Sequence, residues 1–235
     1  MLNKISNKNM GKSDLGWLQS SFHFSFAEYF NFDNMNFGSL RVLNDDIIHP
    51  HTGFQLHPHN DMEIITYIVN GTLTHKDSMG NERTLTRGEV QYMSAGTGIF
   101  HSEMNNHDDT LRLLQIWIFP DKKNHTPNYG EYKFKLEDRE GKWLHMVSSK
   151  NGNAKIKINQ DVNISAIITD ENSSTNFKVS KGRQAYLVQI EGTSTINGIT
   201  LNEKDALEIV EEDISILSNS KSHFIILEMK KSILD

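Results

Sequence analysis

Short runs of β-branched and aromatic residues, separated by turn-forming residues, limit most strongly how this chain can fold. Residues 62–69 (MEIITYIV), 90–94 (VQYMS) and 111–119 (LRLLQIWIF) are such runs, and their length and composition are typical of strands. Pairs such as Asn70-Gly71 lie between them and favour tight hairpin turns. No long amphipathic helical pattern accompanies them. The pattern therefore predicts an all-β chain built as an antiparallel sandwich or barrel.

A weak internal repeat divides the chain into two halves. The segment 186–192 (YLVQIEG) echoes the segment 67–71 (YIVNG). Between them, residues 119–143 are rich in proline, glycine and charged residues, which is typical of a connection between domains. We therefore expect two copies of one barrel, an N-terminal copy in residues 1–133 and a C-terminal copy in residues 134–235.

The composition excludes several classes of function. The chain has no cysteine, which excludes disulfides, thiolate catalysis and Cys-ligated metal sites, so any metal must be held by histidine and carboxylate. The formal net charge of −6 gives no excess of phosphate-neutralising side chains, and we expect no direct nucleic-acid binding. The N-terminus lacks the apolar stretch of a secretory signal, and no apolar run is long enough to span a membrane. We expect a cytoplasmic protein.

Two short motifs place potential metal ligands on strand-like segments. His57 and His59 flank one proline, and His101 and Glu103 flank one serine. Residues two apart on a strand share a face, so each pair can chelate an ion. Three imidazoles and one carboxylate would leave one or two positions open for water, O₂ or substrate. Such an open site is typical of catalysis, because structural metal sites are usually closed.

Other polar residues leave alternatives open. His49 and His51 repeat the His-Pro-His form in a loop-like run, and a place on the rim of a pocket is the simpler interpretation. Glu63 shares the parity of the first histidine pair, so it is either a ligand or a partner that orients an imidazole. The remaining histidines, including His75, are predicted to be structural or solvated.

The repeat also indicates what the second copy has lost. The offset between the two repeated segments projects His57 onto Asn176 and His59 onto Lys178. The histidine pair is therefore absent from the second copy, and the lysine would place a positive charge where a cation would lie. We expect a metal ion in the N-terminal copy and none in the C-terminal copy.

Seven short segments of the N-terminal half form a recognisable series. They are residues 16–18 (GWL), 37–42 (FGSLRV), 57–59 (HPH), 62–67 (MEIITY), 75–80 (HKDSMG), 93–98 (MSAGTG) and 101–103 (HSE). Together they resemble the pirin family, especially its bacterial members, densely over residues 11–134. The C-terminal half matches only as a general cupin barrel. The resemblance implies a bicupin, in which each barrel is a double-stranded β-helix or jelly roll.

The resemblance also implies one divalent metal ion in the first barrel. Its ligands would be His57, His59, His101 and Glu103, with Glu63 beside the ligands rather than among them. Three histidines and one carboxylate suit Fe(II), Mn, Ni, Cu or Zn, and affinity rank alone does not select among these metals. We expect Fe(II) first, with Mn, Ni, Cu and Zn as alternatives.

Bacterial pirins resemble quercetin 2,3-dioxygenases in activity. The implied reaction opens the central ring of a flavonol with O₂ and releases carbon monoxide, so the partners would be a small aromatic substrate and O₂. The flavonol hydroxyl would lie at the open metal position, and Glu103 would be both a ligand and the base that accepts its proton. Phe54 and Phe100 would form part of the pocket wall.

Two other functions stay open from the sequence. One is a non-enzymatic pirin that senses metal or redox state and binds a protein partner, as a cofactor of a transcription factor. The other is a different cupin activity on a small metabolite, such as an isomerisation.

Overall fold

The structure, a computed structural model, describes residues 1–231. Over these residues the chain forms strands joined by turns, with two short 3₁₀ helices at Asn7–Asn9 and Leu136–Arg139. The strands of the described residues are β1 Leu2–Ile5, β2 Gly11–Asp14, β3 Leu18–Phe22, β4 Leu40–Ile48, β5 Thr52–His59, β6 Glu63–Asn70, β7 Thr72–Asp77, β8 Glu82–Thr86, β9 Val90–Ser94, β10 Ile99–Asn105, β11 Leu111–Ile118, β12 Asn128–Tyr132, β13 Leu144–Ser149, β14 Ile156–Ile158, β15 Val162–Thr169, β16 Ser174–Phe177, β17 Arg183–Glu191, β18 Ser194–Ile196, β19 Ile199–Leu201, β20 Ala206–Val210, β21 Ile214–Ser218 and β22 Ser222–Lys230. The all-β prediction is confirmed. Over the same residues, no helix is long and apolar enough to cross a membrane.

The N-terminal barrel comprises residues 11–135 and 158–160. Its seven-stranded sheet has the order β12-β9-β6-β11-β4-β3-β2, and its four-stranded sheet has the order β5-β10-β7-β8. One apolar cluster joins the two sheets, with Ile68, Leu111 and Leu113 from the larger and Leu73 and Leu85 from the smaller. Burying one such side chain contributes about 1.5–3 kcal/mol. The cluster therefore holds the two layers together.

Strand β10 shows how the chain aims its polar side chains inward. Ile99, His101, Glu103 and Asn105 are all buried, whereas Phe100 between them is half exposed. Successive side chains of a strand point to opposite faces, so the face that buries Ile99 also carries His101 and Glu103 into the barrel.

The C-terminal barrel comprises residues 1–10, 136–157 and 161–231 of the described chain. Its sheets have the orders β1-β20-β17-β22-β15-β13-β14 and β16-β21-β18-β19. The inner strands β20-β17-β22-β15 follow one another as β9-β6-β11-β4 do in the first barrel, and β16-β21-β18-β19 follow one another as β5-β10-β7-β8 do. The two barrels therefore share one strand topology, as the sequence repeat predicts.

The division between the barrels differs from the predicted one at the N-terminus. Residues 1–10 belong to the C-terminal barrel, because β1 pairs with β20, Leu2 opposite Ile209 and Ile5 opposite Ala206. This pairing covers the outer edge of β20, whose backbone groups would otherwise lack partners. Residues 158–160, in turn, belong to the N-terminal barrel. The predicted division after residue 133 therefore misplaces both segments.

The three predicted strands are present within a residue of their expected bounds, as β6, β9 and β11. β6 lies inside its sheet, between β9 and β11, and all but its last residue are buried. Its continuous apolar run is explained by this position. Gly71 ends the strand at φ +80°, where a Cβ would lie 2.8 Å from the Leu111 Cα, so the turn needs glycine.

Candidate metal centre

Three histidines meet where β5 and β10 pair. His57 lies directly opposite His101 in the antiparallel register, and His59 lies two residues further along β5 on the same face. The ring centroids are 4.4 Å apart for His57 and His101, 4.8 Å for His57 and His59, and 4.9 Å for His59 and His101. One ring nitrogen from each lies within 4.8 Å of the others. The pairing of β5 with β10 therefore brings the histidines of the two sequence motifs together.

His101 is the most deeply buried of the three. It is 1% exposed, and both of its ring nitrogens lack a hydrogen-bond partner. Its pKa is lowered to about 3, mainly by burial and in part by the neighbouring His57 and His75. A buried neutral imidazole without a hydrogen bond destabilises the folded protein, unless its lone pair binds a cation or another group. A divalent cation fits this requirement.

His57 and His59 are also suited to bind a cation. The Nδ1 of His57 lies 2.7 Å from the carbonyl oxygen of Gln55, so Nδ1–H donates there and Nε2 keeps its lone pair. The pKa of His59 is lowered to about 4, mainly by burial and in part by His101 and His57. The His59 ring rests edge-on against Trp117, with centroids 4.8 Å apart, and this contact fixes its orientation.

Glu103 is held in place by three donors from the seven-stranded sheet. Its Oε1 accepts hydrogen bonds from Thr66 Oγ1 at 2.9 Å and from Gln91 Nε2 at 2.6 Å. Its Oε2 accepts one from Gln115 Nε2 at 2.6 Å. A carboxylate offers about four lone-pair sites, so one site remains for a cation. The three donors are neighbours on adjacent strands, since Thr66 on β6 pairs with Gln91 on β9 and with Gln115 on β11.

His75 is closer to the site than the sequence prediction placed it. One of its ring nitrogens lies within 4.8 Å of ligand atoms of His101 and Glu103. Its ring stacks on Tyr129 with centroids 4.6 Å apart, and its Nε2 lies 3.3 Å from Asp77 Oδ2. It is fully buried, so it is structural but not solvated. The signal that could have found it is the strand alternation of β7, which turns His75 into the barrel.

Glu63 does not orient a histidine, contrary to the prediction. Its carboxylate accepts hydrogen bonds from Tyr92 Oη at 2.6 Å, Ser94 Oγ at 2.6 Å and the backbone N–H of Asn159 at 2.8 Å. It thereby ties residues 158–160 to the barrel. Glu63 faces another direction because Asp61, between β5 and β6, has φ +46°. This turn breaks the alternation that relates Glu63 to the histidine pair.

A cavity of about 280 Å³ opens beside the histidines. Its wall includes His57, His59 and Glu103, and the remaining wall is mainly apolar. The apolar residues are Leu15, Trp17, Leu18, Phe22, Phe26, Ala27, Phe54 and Trp117. Phe54 lines the cavity, whereas Phe100 does not, since it is 50% exposed on the outer face of β10.

Polar side chains interrupt the apolar wall along β4. Asn44 and Asp46 both line the cavity and are almost completely buried. The pKa of Asp46 is raised to about 7, mainly by burial and in part by the nearby Asp45 and Glu103 carboxylates, and the hydrogen bond from Ser20 opposes this rise. The sequence prediction did not include these two residues, because a run of three polar residues within a strand gives no sign of burial.

The alternative histidine pair lies away from the site. His51 occupies the turn between β4 and β5 with φ +58°, and its Nε2 lies 2.8 Å from Asp108 Oδ1 on the exposed surface. In the C-terminal barrel, Asn176, onto which the sequence repeat projects His57, lies on β16 and pairs with Ser215. That this barrel binds no metal stays a prediction.

Comparisons with known proteins agree with the resemblance. A family model described as Pirin matches residues 4–118, and one described as the quercetinase C-terminal cupin domain matches residues 132–229. A pirin-like protein of Caulobacter vibrioides is 40% identical over 215 residues, which cover 91% of this chain and 93% of that protein. A quercetin 2,3-dioxygenase of Escherichia coli is 40% identical over 223 residues, which cover 93% of this chain and 94% of that protein.

A solved structure is similar over the whole chain. It is the bacterial pirin YhhW of Escherichia coli in complex with nickel(II), which is 35% identical and superposes with a TM-score of 0.92 over 99% of this chain and 100% of that chain. Such identity in sequence and fold over both barrels does not arise from a shared architecture alone. The chain belongs to the pirin family.

Proposed function

We propose that the chain is a metal-dependent dioxygenase that opens the central ring of a flavonol with O₂ and releases carbon monoxide. The observation that carries the proposal is the set of three converging imidazoles beside a fixed carboxylate, at the wall of an apolar cavity. Relatives of about the same length that are named quercetin 2,3-dioxygenase support it.

We place one divalent ion on His57, His59, His101 and Glu103. When bound, the ion would supply a positive charge that lowers the pKa of a nearby hydroxyl group and stabilises the resulting oxyanion. Fe(II) is our first choice, and Mn, Ni, Cu and Zn suit the same donors. Nickel has support from the bacterial pirin YhhW, whose structure is described as a nickel(II) complex.

Glu103 is proposed to accept the proton of the flavonol hydroxyl. Three of its four lone-pair sites accept hydrogen bonds and the ion would take the fourth, so proton transfer requires one hydrogen bond to be released. The Thr66 hydroxyl can release it, because its single proton lies between two acceptors, Glu103 Oε1 at 2.9 Å and Gln115 Oε1 at 3.1 Å. Rotation of the Thr66 hydroxyl toward Gln115 would free a lone pair of Glu103.

The cavity walls suit a planar aromatic substrate. Trp17 and Phe54 pack edge to face with centroids 5.4 Å apart, and Trp117, which also lines the cavity, packs against His59. A volume of about 280 Å³ lies near the lower end of ligand cavities, about 300–1,000 Å³. Apolar walls of this size would cover the rings of one flavonol and exclude water from the reacting centre.

The test uses apoprotein without a metal-binding tag, reconstituted anaerobically with each candidate metal in turn. With quercetin, we expect O₂ uptake and carbon monoxide release in equal amounts for at least one metal. His101→Ala should lose both the metal and the turnover. His51→Ala, which removes a histidine of the same local motif on the exposed turn, should keep both. Failure of every reconstituted metal form to consume O₂ with quercetin would refute the proposed reaction.

A further inference from the structure

Two buried acceptors face the cavity without a hydrogen-bond partner. Asn44 and Asp46 are 3% and 2% exposed, and the Oδ1 atom of each lacks a partner. Both line the cavity beside the histidines. Asp45, between them on β4, points to the other face and binds Arg112 with both carboxylate oxygens. Strand alternation therefore assigns Asp45 to an ion pair and its two neighbours to the cavity.

The register of the sheet places these acceptors next to the proposed ligand Glu103. Asn44 lies opposite Gln115, and Gln115 donates to Glu103. Asp46 lies two residues further along β4, opposite Leu113 on one side and Ser20 on the other. Asn44 and Asp46 thus lie on the same cavity wall as Glu103, among apolar side chains.

An unpartnered acceptor in this position is costly for a folded protein. A buried polar atom without a hydrogen bond destabilises the fold, and proteins keep very few of them. Two such atoms, on one strand and facing one cavity, indicate a ligand that supplies the missing donors. Both atoms accept hydrogen bonds, so the matching groups on the ligand are donors.

We propose that Asp46, together with Asn44, binds a phenolic hydroxyl group of the substrate other than the hydroxyl that reacts beside Glu103. This inference rests on the proposed function and narrows its substrate class to planar aromatics with at least two separated hydroxyl groups. Among the described residues that line the cavity, none is a lysine or an arginine. A substrate carboxylate that lies away from the proposed ion would therefore meet Asp46 without a compensating lysine or arginine, and substrates of that kind are excluded from the class.

The experiment compares two flavonols in wild type and Asp46→Asn. Quercetin carries the reacting hydroxyl and several others, whereas 3-hydroxyflavone carries only the reacting one. At pH 8, above the raised Asp46 pKa of about 7, we expect Asp46→Asn to lower kcat/KM for quercetin roughly 10- to 100-fold, the range for a lost hydrogen bond to a charged group, mainly through KM. The value for 3-hydroxyflavone should be unchanged.

Asp45→Asn is the matched control, since it changes the same residue type one position away on the opposite face. It should lower the thermal stability by removing a partner of Arg112 and keep the preference for quercetin. Asp46→Asn should keep the metal content and should not lower the stability at pH 8. An Asp46 that only holds a water molecule or the fold would leave the preference unchanged in both variants, and this result would overturn the inference.

Binding without turnover separates this inference from the proposed reaction. Under anaerobic conditions, the dissociation constants of both flavonols are measured by quenching of tryptophan fluorescence in metal-loaded protein. If wild type binds quercetin more tightly than 3-hydroxyflavone and Asp46→Asn removes the difference, the inference stands even when no O₂ is consumed. Equal effects of Asp46→Asn on both flavonols, or binding of neither by wild type, would overturn it.

Discussion

Replacing Asp46 by Asn should stabilise the metal-free protein at pH 8 but not at pH 4. Asp46 is buried, and burial raises its pKa from 3.8 to about 7. In the folded protein the carboxyl therefore keeps its proton at a pH where the unfolded chain has lost it. The protein must either hold the proton or bury an anion, and both reduce the free energy of unfolding.

The magnitude follows from the size of the shift. A shift from 3.8 to about 7 corresponds to about 4 kcal/mol, at about 1.4 kcal/mol per unit of pKa. The folded pKa is raised, so this penalty is absent below pH 3.8, grows as the pH rises, and is complete above pH 7. Asparagine cannot ionise and removes the penalty. Its amide group would lack a partner at a cost of about 1–3 kcal/mol, and this cost is the same at every pH.

The assay is urea denaturation of apoprotein, wild type and Asp46→Asn, at intervals between pH 4 and pH 8. The difference in the free energy of unfolding between the two proteins should change by about 4 kcal/mol over this range, in favour of the variant at high pH. The pH-independent cost of the amide cancels in this comparison. Parallel pH profiles for the two proteins would show that Asp46 titrates as in the unfolded chain and would refute the reasoning.

Three further substitutions test the surroundings of the proposed metal. Glu63→Gln should lower the free energy of unfolding by about 1–3 kcal/mol in denaturation experiments, because an amide N–H would then face the backbone N–H of Asn159. A loss of bound metal in this variant would contradict our placement of Glu63. Gln91→Leu removes one hydrogen-bond donor to Glu103 and should weaken metal binding, measured by competition with a chelator, roughly 10- to 100-fold. An unchanged affinity for the metal would count against Glu103 as a ligand. Gly53→Ala places a Cβ against the Glu103 backbone carbonyl and should reduce the metal content measured by elemental analysis, with full occupancy as the contrary result.

Strand alternation explains why most of the candidate site could be predicted from the sequence. The spacing of two residues within each motif sets the face, and the turns between strands allow β5 and β10 to pair. The same rule, applied to Phe100, would have turned that side chain outward, away from its neighbour His101. Its assignment to the pocket came from apolar character alone, which does not specify a face.

Other features depend on contacts between residues far apart in the chain. The pairing of β1 with β20 joins Leu2 to Ile209, and no local pattern in residues 1–10 indicates such a partner. Asp46 lies in a polar segment of β4 whose burial becomes visible only when β3 and β11 pack on either side. The alternation of side chains along a strand could not place Glu63, since the positive φ of Asp61 interrupts the alternation between the histidine pair and Glu63.

The metal assignment is tested most directly by anomalous diffraction from crystals of the metal-loaded protein, recorded at the absorption edge of the bound metal. The account predicts one anomalous peak per chain, roughly 2.0–2.2 Å from a nitrogen of His57, His59 and His101 and an oxygen of Glu103. A peak at another position, or density at these four side chains without anomalous signal in metal-loaded crystals, would contradict it.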